Sequence, residues 1–198
     1  MSSISTILET FDAVCFDLDH TLVRWGGALS VFGKLVRHNA MGMLQLQKEV
    51  EKNRGLRSLE LNAHIMSALS RRTNPASLAE LDQRWSLCYS PRQRVDSMLD
   101  LIEQLDAQGI PRALISDYPA IEKLRRIGLA EGWSAVVSCR DLGALKPLAD
   151  GLQTAMAQLG SIPAKTLYIG DRWETDGLAA MAAGCSFIHV SAFDGAWD

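Results

Sequence analysis

The 198-residue sequence contains no apolar run that approaches the roughly 20 residues needed to span a bilayer. Its first five residues lack the basic start and the long apolar stretch of a signal peptide. It also has no excess of positive charge, because 20 Lys and Arg stand against 23 Asp and Glu, for a net charge of −3. These absences exclude an overall basic field that would attract nucleic acid or an acidic membrane, and they predict a soluble cytoplasmic protein.

Cysteine is scarce and scattered. The four cysteines, Cys15, Cys88, Cys139 and Cys185, show no C-x-x-C spacing, and three of them lie in or beside apolar runs. They therefore predict small buried side chains rather than a disulfide framework or a zinc site. Internal repeats and low-complexity segments are absent as well, and 47% hydrophobic with 22% charged residues is a globular balance. The length allows one domain, or one domain with a small insertion.

Five short apolar runs predict the strands of a parallel sheet. Each is apolar on both faces, which is typical of parallel strands that helices cover on both sides. Helical patterns with 3-to-4 spacing lie between the later runs and end at Gly109, Gly128, Gly160 and Gly184. This alternation predicts an α/β fold with one open, doubly wound sheet and right-handed crossovers. The runs are residues 13–16, 113–115, 135–137, 167–169 and 187–190.

About seventy residues between the first and second predicted strands contain no convincing strand and predict a helical insertion. The domain division is therefore an α/β core of residues 1–23 and 95–198 and a helical insertion of residues 24–94. Apolar spacing through residues 35–50 and 59–69 predicts two of its helices, and Ser77 and Glu80 have capping-box spacing slightly inside a third. The expected helix starts are Ser30, Ser58 and Asn74-Pro75.

The predicted insertion is basic, whereas the rest of the chain is acidic. Residues 22–95 hold twelve Lys and Arg against five Asp and Glu, a net charge of +7, and the remainder has a net charge of −10. Two interpretations stay open at this point. The charges are the solvated faces of amphipathic helices, or they form a basic lid that attracts an anionic substrate to an acidic site. Trp25-Gly26-Gly27, at the start of the insertion, is interpreted as a hinge with an aromatic side chain that packs at the domain junction.

Acidic residues follow two of the predicted strands, at the strand ends where open α/β sheets place ligand sites. Asp17 and Asp19 follow the first strand on the same side of the chain, and Asp171 and Asp176 follow the fourth. The last two lie five positions apart, so they converge only if the segment between them is a loop; alternatively, Asp176 is only a helix N-cap. Together the four form an oxygen-rich site of the kind that Mg²⁺ prefers.

Two further polar segments lie between these acidic clusters. Ser116-Asp117 ends the second predicted strand, and Lys146-Pro147 precedes a helix. Pro119 and Pro147 suit first helical positions, which would place both segments at helix N-termini that favour anions. Because it precedes a proline, Lys146 is expected on the loop, where its ammonium offsets carboxylate and phosphate charge. The alternative is that Ser116 is a turn residue and Lys146 a solvated side chain.

As a set, these segments resemble the four motifs of the haloacid dehalogenase superfamily. They are Asp-x-Asp-x-Thr at residues 17–21, Ser116, Lys146-Pro147 and Gly-Asp-x-x-x-x-Asp at residues 170–176. The resemblance covers most of residues 11–22 and 94–190. It implies a Rossmann-like core, and the helical insertion resembles the C1-type cap of that family.

The resemblance also implies a role for each motif residue. Asp17 would be the nucleophile and Asp19 the general acid and base, a double duty that requires a raised pKa. Ser116 and Lys146 would be the catalytic neighbours of phosphate and carboxylate, with Asp117 beside them in the substrate site. The implied Mg²⁺ ligands are the Asp17 carboxylate, the Asp19 backbone carbonyl, Asp171 and, as an additional residue, Asp176.

Two residues depart from the family pattern. His20 stands where many relatives have Gly, and Asp117 stands where Asn is frequent. The extra negative charge of Asp117 is expected to alter how a phosphate is held.

These features predict a Mg²⁺-dependent phosphatase that acts on a small phosphorylated metabolite through an aspartyl-phosphate. We expect a monomer or homodimer without nucleic-acid or membrane partners. A phosphosugar mutase of the same superfamily and a non-catalytic, receiver-like phosphate-binding module are the alternatives. A dehalogenase is disfavoured, because that branch of the family does not need the acid/base that Asp19 resembles.

Overall fold

The structure is a computed structural model that describes residues 4–25, 40–71 and 77–193. Five parallel strands form one sheet, and their ends lie within one residue of the ends of the five predicted apolar runs. The strands are β1 (Ala13–Phe16), β2 (Arg112–Ser116), β3 (Ala135–Ser138), β4 (Thr166–Gly170) and β5 (Ser186–His189).

Helices connect the strands, and the part of the chain described contains none that is long and apolar enough to cross a membrane. The helices are α1 (Ile4–Thr10), α2 (Ala40–Lys52), α3 (Leu61–Ser70), α4 (Leu78–Ser86), α5 (Asp96–Ala107), α6 (Ile121–Ile127), α7 (Asp150–Leu159) and α8 (Leu178–Ala183). Shorter 3₁₀ turns lie at Pro91–Gln93, Pro163–Lys165 and Val190–Phe193, and a π-helical turn lies at Trp173–Gly177.

The sheet has the order β3-β2-β1-β4-β5, so the chain winds outward from β1 to one edge and then from β4 to the other. Phe16, the last residue of β1, lies opposite Leu114 of β2 and Ile169 of β4. The doubly wound α/β fold predicted from the sequence is therefore confirmed. Its consequence is that the carboxyl ends of β1, β2 and β4 are neighbours, and the chain that leaves them forms one edge of the molecule.

The three central strands β1, β2 and β4 are buried along their whole length. The edge strands are not, since Val136 of β3 is half-buried and Ser186 and His189 of β5 are exposed. The predicted cover of helices is therefore present along the sheet but less complete at its two edge strands.

The cysteines are free thiols. Cys15, Cys88 and Cys139 are buried, and Cys185 is half-buried. Their interpretation as small buried side chains is confirmed for three of the four.

Within residues 40–71 and 77–90 the insertion consists of the helices α2, α3 and α4, joined by turns. Helix α4 begins at Leu78, and the Ser77 side chain accepts a hydrogen bond from the Glu80 amide at 3.0 Å. Ser77 is therefore the N-cap itself rather than a residue inside the helix. The other predicted features at Gly26-Gly27, Ser30, Leu35 and Asn74-Pro75 lie outside the described residues.

Pro119 and Pro147 do not occupy the first helical positions that the sequence predicted for them. Helices α6 and α7 begin two and three residues after Pro119 and Pro147, at Ile121 and Asp150. Pro147 lies instead in a turn, in which the Leu148 amide donates to the Leu145 carbonyl at 3.0 Å. Lys146 nevertheless lies outside the helix, as predicted.

Helix α6 differs from the expected apolar stripe. Ile121, which the spacing assigned to the buried face, is 56% exposed, whereas Lys123 is only 2% exposed. A charged side chain thus occupies a core position that the 3-to-4 spacing did not predict.

A polar seam joins the insertion to the core between α3 and α7. The Arg57 guanidinium donates to both carboxylate oxygens of Asp150, at 2.8 and 2.9 Å. The Ser58 amide donates to the Gly143 carbonyl at 2.8 Å, and Asn62 donates to Asp141 at 3.0 Å. The positive charge of Arg57 in the insertion and the negative charge of Asp150 in the core therefore help to hold the two regions together.

Gly143 is the tightest point of this seam. Its φ is +71°, and a Cβ atom added there would lie 2.1 Å from the Ser58 carbonyl oxygen. Gly160 has a similar φ of +65°, but no atom lies within 4 Å of the position of its Cβ. Both glycines therefore have a left-handed backbone conformation, but only at Gly143 would an added side chain collide with a neighbouring atom.

We expect Gly143→Ala to lower the melting temperature more than Gly160→Ala. Both variants place a side chain in the left-handed region, at a cost of about 1 kcal/mol each. Only Gly143→Ala also pushes Ser58 away and opens the seam, which adds about 1–3 kcal/mol. At roughly 2–4 °C per kcal/mol for a chain of this size, thermal unfolding resolves the difference. Equal losses in the two variants would contradict the importance of the seam.

Candidate active site

The centre of the site is an ammonium group shared by two buried carboxylates. Asp17 directly follows β1, and its amide donates to the Ile169 carbonyl of β4 at 2.9 Å, which extends the sheet by one residue. The Nζ atom of Lys146 lies 2.6 Å from Asp17 Oδ1 and 2.6 Å from Asp176 Oδ1. Burial opposes the charge on Lys146, but Asp17 and Asp176 outweigh it and raise the Lys146 pKa well above its usual value. Lys146 is therefore a buried cation and not a solvated side chain.

Asp176 reaches this centre through the π-helical turn. The turn places the Asp176 carboxylate within 2.9 Å of the Tyr168 hydroxyl and 3.1 Å of the Arg172 amide, and both donate to it. The segment before Asp176 was predicted as a loop, which is wrong. Asp176 is also not the N-cap of α8, because that helix begins at Leu178 and follows Gly177.

Gly170 makes the approach of Asp176 possible. A Cβ atom at Gly170 would lie 2.6 Å from the Asp176 carboxyl group, closer than two carbon atoms can pack. The glycine of the fourth motif is therefore required by the contact between the end of β4 and the turn that follows.

Asp17, Asp171 and Asp176 together form a candidate metal centre. Each offers an oxygen, and these atoms lie within 4.8 Å of one another. Burial raises the pKa of Asp17 well above its usual value, and Asp176 and Asp171 add to this against the opposing charge of Lys146. Burial and Asp176 likewise raise the pKa of Asp171. Crowded hard oxygen donors that repel one another fit a divalent cation such as Mg²⁺, whose charge would favour the ionised carboxylates.

The second strand contributes Ser116 and Asp117. Ser116 is the buried last residue of β2, and its hydroxyl accepts from the Tyr118 amide at 3.2 Å. Asp117 accepts from the Lys146 amide at 3.0 Å through one oxygen, and from Arg54 at 2.7 Å through the other. The Arg54 guanidinium also donates to the Lys146 carbonyl at 2.9 Å. The extra negative charge of Asp117 is thus neutralised by a guanidinium of the insertion.

The Asp19 side chain lies apart from the carboxylate cluster. Its Oδ1 accepts from the Trp25 indole at 3.2 Å and from the Tyr89 hydroxyl, and its Oδ2 accepts from Lys123 at 3.3 Å. Burial raises the pKa of Asp19, but the Lys123 charge and the three donors outweigh it and hold the pKa below its usual value. The raised pKa expected from the sequence is therefore wrong, because Lys123 supplies a cation that the motifs do not contain.

Trp25 has more than the packing role predicted for it. Its ring packs edge-on against Tyr89, with centroids 4.9 Å apart, and its indole N–H also holds Asp19.

His20 has φ = +65°, a left-handed conformation that glycine adopts without strain. This backbone geometry explains why glycine would suit the position.

A cavity of about 940 Å³ lies between these residues and α2. Its core side includes Asp17, Asp19, Ser116, Lys146 and the cluster of Asp171 and Asp176. Its insertion side consists of Gln47, Lys48, Glu51 and Arg54, together with Trp25 and Trp85.

The basic character of the insertion has two origins. Arg54 and Lys52 are paired with acidic side chains, as Arg57 is in the seam. Lys48 differs, because it is exposed, lines the cavity, and has no ion pair within the described residues. Of the two basic residues that the described part of the insertion contributes to the cavity, Arg54 is therefore paired with Asp117, and Lys48 faces the open space.

The motifs did not reveal four polar contributors, namely Arg54, Tyr89, Lys123 and Tyr168. Tyr168 lies inside an apolar run, so its hydroxyl gave no separate signal. Arg54 and Tyr89 reach the site from segments far from the motifs along the chain. Lys123 lies only six residues after Asp117, but it was visible only as a charge next to an apolar stripe.

Comparison with known proteins agrees with this arrangement. The model of the haloacid dehalogenase-like hydrolase family matches residues 14–190. The structure of a haloacid dehalogenase-like hydrolase from Bacteroides fragilis is similar at 26% identity and a TM-score of 0.55, covering 89% of this chain and 86% of that one.

Two curated phosphatases share part of the sequence. A phosphoglycolate phosphatase of Yersinia pseudotuberculosis serotype I is 32% identical over 93 residues, 46% of this chain and 40% of that protein. A ribulose-1,5-bisphosphate 5-phosphatase of Halopiger xanaduensis is 26% identical over 115 residues, 57% of this chain and 48% of that protein. The chain thus spans about half the length of these relatives, or less. Since the family model extends from β1 to the end of the sheet and includes all four motifs, the chain belongs to the haloacid dehalogenase-like hydrolase family.

Proposed function

We propose that this protein is a Mg²⁺-dependent phosphatase that cleaves a small phosphate monoester through an aspartyl-phosphate intermediate. The observation that supports it most is the Lys146 ammonium, 2.6 Å from both Asp17 and Asp176 at the floor of the cavity. A carboxylate nucleophile beside a fixed cation suits phosphoryl transfer, which depends mostly on alignment and charge neutralisation. The names of the two curated relatives support the same reaction.

In the proposed first step, the Asp17 carboxylate attacks phosphorus and the bond from phosphorus to the ester oxygen breaks. The leaving oxygen takes a proton from Asp19, and an aspartyl-phosphate remains on Asp17. In the second step, water attacks the same phosphorus and gives a proton to Asp19. Inorganic phosphate leaves, and the Asp17 carboxylate is restored. Lys146 stays charged throughout and offsets negative charge beside Asp17.

The contacts of Asp19 fit the second step better than the first. Lys123, Tyr89 and Trp25 favour its ionised form, which can accept a proton from the attacking water. Donation to the leaving oxygen requires a protonated Asp19, the form that these contacts disfavour.

We propose that Asp17, Asp171 and Asp176 hold Mg²⁺, with the Asp19 backbone carbonyl as a further ligand. When bound, Mg²⁺ neutralises the charge on the oxygens of the transferred phosphoryl group.

We also propose that residues 24–94 are a C1-type cap on a core of residues 1–23 and 95–198. Where the chain enters and leaves this segment, the Arg24 amide donates to the Gln93 carbonyl at 2.7 Å, and Val23 pairs with Arg94. These paired connections support a boundary at this point, and the seam and the Arg54 contact support docking over the cavity.

The proposed substrate carries a second negative group. Both curated relatives are named for substrates of that kind, a phosphorylated hydroxyacid and a bisphosphate. In this chain, Lys48 lines the same cavity as the carboxylates, from helix α2 of the insertion. It therefore suits a second anionic group on a small phosphorylated molecule.

Two alternatives predict other products. A phosphosugar mutase would return the phosphoryl group to a second hydroxyl and release no inorganic phosphate. A receiver-like module would keep it as a long-lived phosphoprotein. Rapid release of inorganic phosphate from p-nitrophenyl phosphate in the presence of Mg²⁺ favours the phosphatase over both.

We expect Asp17→Asn to lower kcat at least about a thousandfold, because an amide is not a competent nucleophile. Native protein quenched during turnover should contain a phosphoenzyme that hydroxylamine cleaves, and the variant should contain none. Circular dichroism should report an unchanged fold. Full turnover by a folded Asp17→Asn protein would remove the nucleophile assignment.

Chelation should stop turnover, and added Mg²⁺ should restore it. Asp171→Asn removes one of the three proposed carboxylate ligands, so it should need about ten- to a hundredfold more Mg²⁺ for half-maximal activity. Activity is measured against Mg²⁺ concentration for both proteins. Turnover that persists in excess chelator would contradict a metal requirement.

Lys48→Ala should raise KM for phosphoglycolate by about two- to fivefold, as expected for one exposed charge contact. The rise should be larger at low than at high salt, because salt screens exposed charges. KM for p-nitrophenyl phosphate, which has no second acidic group, should change little. Lys52→Ala is the control, since Lys52 is on the same helix but pairs with Glu49 at 2.7 Å. Equal changes of KM in the two variants would contradict a substrate contact and would show that Lys48 is only a solvated residue of the helix face.

A further inference from the structure

Lys123 is a buried charge that the proposed reaction does not use. It lies in α6, and only 2% of its surface is exposed. An ammonium in such a place costs free energy unless its surroundings compensate the lost hydration. The groups around it therefore indicate what keeps it there.

Three aromatic rings surround the Lys123 ammonium. Its Nζ lies 5.2 Å from the ring centroid of Trp85, 5.0 Å from that of Tyr89 and 5.1 Å from that of Tyr118. These distances are within the range of cation–π attraction. Trp85 and Tyr89 belong to the helical insertion, and Tyr118 follows β2. The rings fix the position of the cation from both parts of the fold, but they do not supply an opposite charge.

That opposite charge comes from Asp19. Within residues 4–25, 40–71 and 77–193, Lys123 has one ion pair shorter than 4 Å, from its Nζ to Asp19 Oδ2 at 3.3 Å. The nearby carboxylate of Asp82 is paired with Arg140 instead, at 3.1 Å between Nη1 and Oδ1. Trp25 and Tyr89 occupy the other oxygen of Asp19. Lys123 is therefore the donor that holds the Oδ2 side of this carboxylate.

We propose that Lys123 is a positioning residue that fixes the Asp19 carboxylate for proton transfer. Lys123 is not among the residues that line the cavity, so it acts through Asp19 and not on the substrate. Because two of its three rings belong to the insertion, the placement of Asp19 also depends on how the insertion packs. This inference rests on the proposed function, since it requires Asp19 to move protons.

A double-mutant cycle between Lys123 and Asp19 tests the proposal, with p-nitrophenyl phosphate as substrate. Lys123→Met keeps the length of the side chain and packs against the rings. In the native background it should lower kcat by about ten- to a hundredfold, the cost of misplacing a catalytic group, with KM within twofold. In an Asp19→Asn background the same substitution should change kcat less than about twofold, because the group that it positions is already disabled.

Arg125→Met is the matched control, because Arg125 lies on the same helix with an exposed side chain paired only to Glu122 in the described part of the chain. It should leave kcat and KM unchanged. Thermal unfolding of every variant separates loss of activity from loss of fold. Lys123→Arg, which keeps a cation among the rings, should retain more kcat than Lys123→Met, and it is carried through the same cycle in case Lys123→Met does not fold.

An equal loss of kcat in the native and Asp19→Asn backgrounds would show a general structural role and overturn the proposal. Native kcat in a folded Lys123→Met protein would overturn it as well. Neither result affects the nucleophile assignment. Turnover that survives Asp17→Asn, by contrast, would remove the proposed function whatever the cycle gives.

Discussion

The site depends on one ammonium group that two carboxylates share inside the protein. Asp17 and Asp176 come from opposite ends of the chain, and either would be costly to bury as an ion without a partner. Lys146 lies between them with both contacts at 2.6 Å, so it sets their separation as well as offsetting their charge. The strand ends, the π-helical turn and Gly170 all place groups around this cation.

The sheet order explains why those groups converge. With β1 between β2 and β4, the residues that follow these three strands come together although as many as 159 positions separate them. The insertion begins shortly after β1, at the same edge of the sheet. The cavity therefore lies between the strand ends and helix α2. The central position of β1 in the sheet thus determines both the strand ends that form the floor of the site and the place of the insertion that faces it.

Local patterns in the sequence were sufficient for the core and for the motif residues. The apolar run of residues 167–169 lies inside β4, and each acidic motif follows such a run, so the position of the motifs along the sheet edge could be predicted. The contacts of Arg54 and Lys123 could not, because they join segments 63 and 104 residues apart and depend on how the insertion packs. The predicted rise in the pKa of Asp19 was wrong for the same reason, because Lys123, a cation outside the motifs, helps to lower that pKa.

The pair of Arg54 and Asp117 restricts which inserted segments this core could accept. Asp117 stands where Asn is frequent, and its charge is balanced from the other side of the cavity by a guanidinium that also holds the Lys146 backbone. A chimaera that received an insertion without this arginine would leave a buried carboxylate without its counter-ion, directly beside the lysine at the centre. The aspartate and the arginine therefore form a matched set, and we expect a core that keeps Asp117 to need an insertion that supplies the arginine.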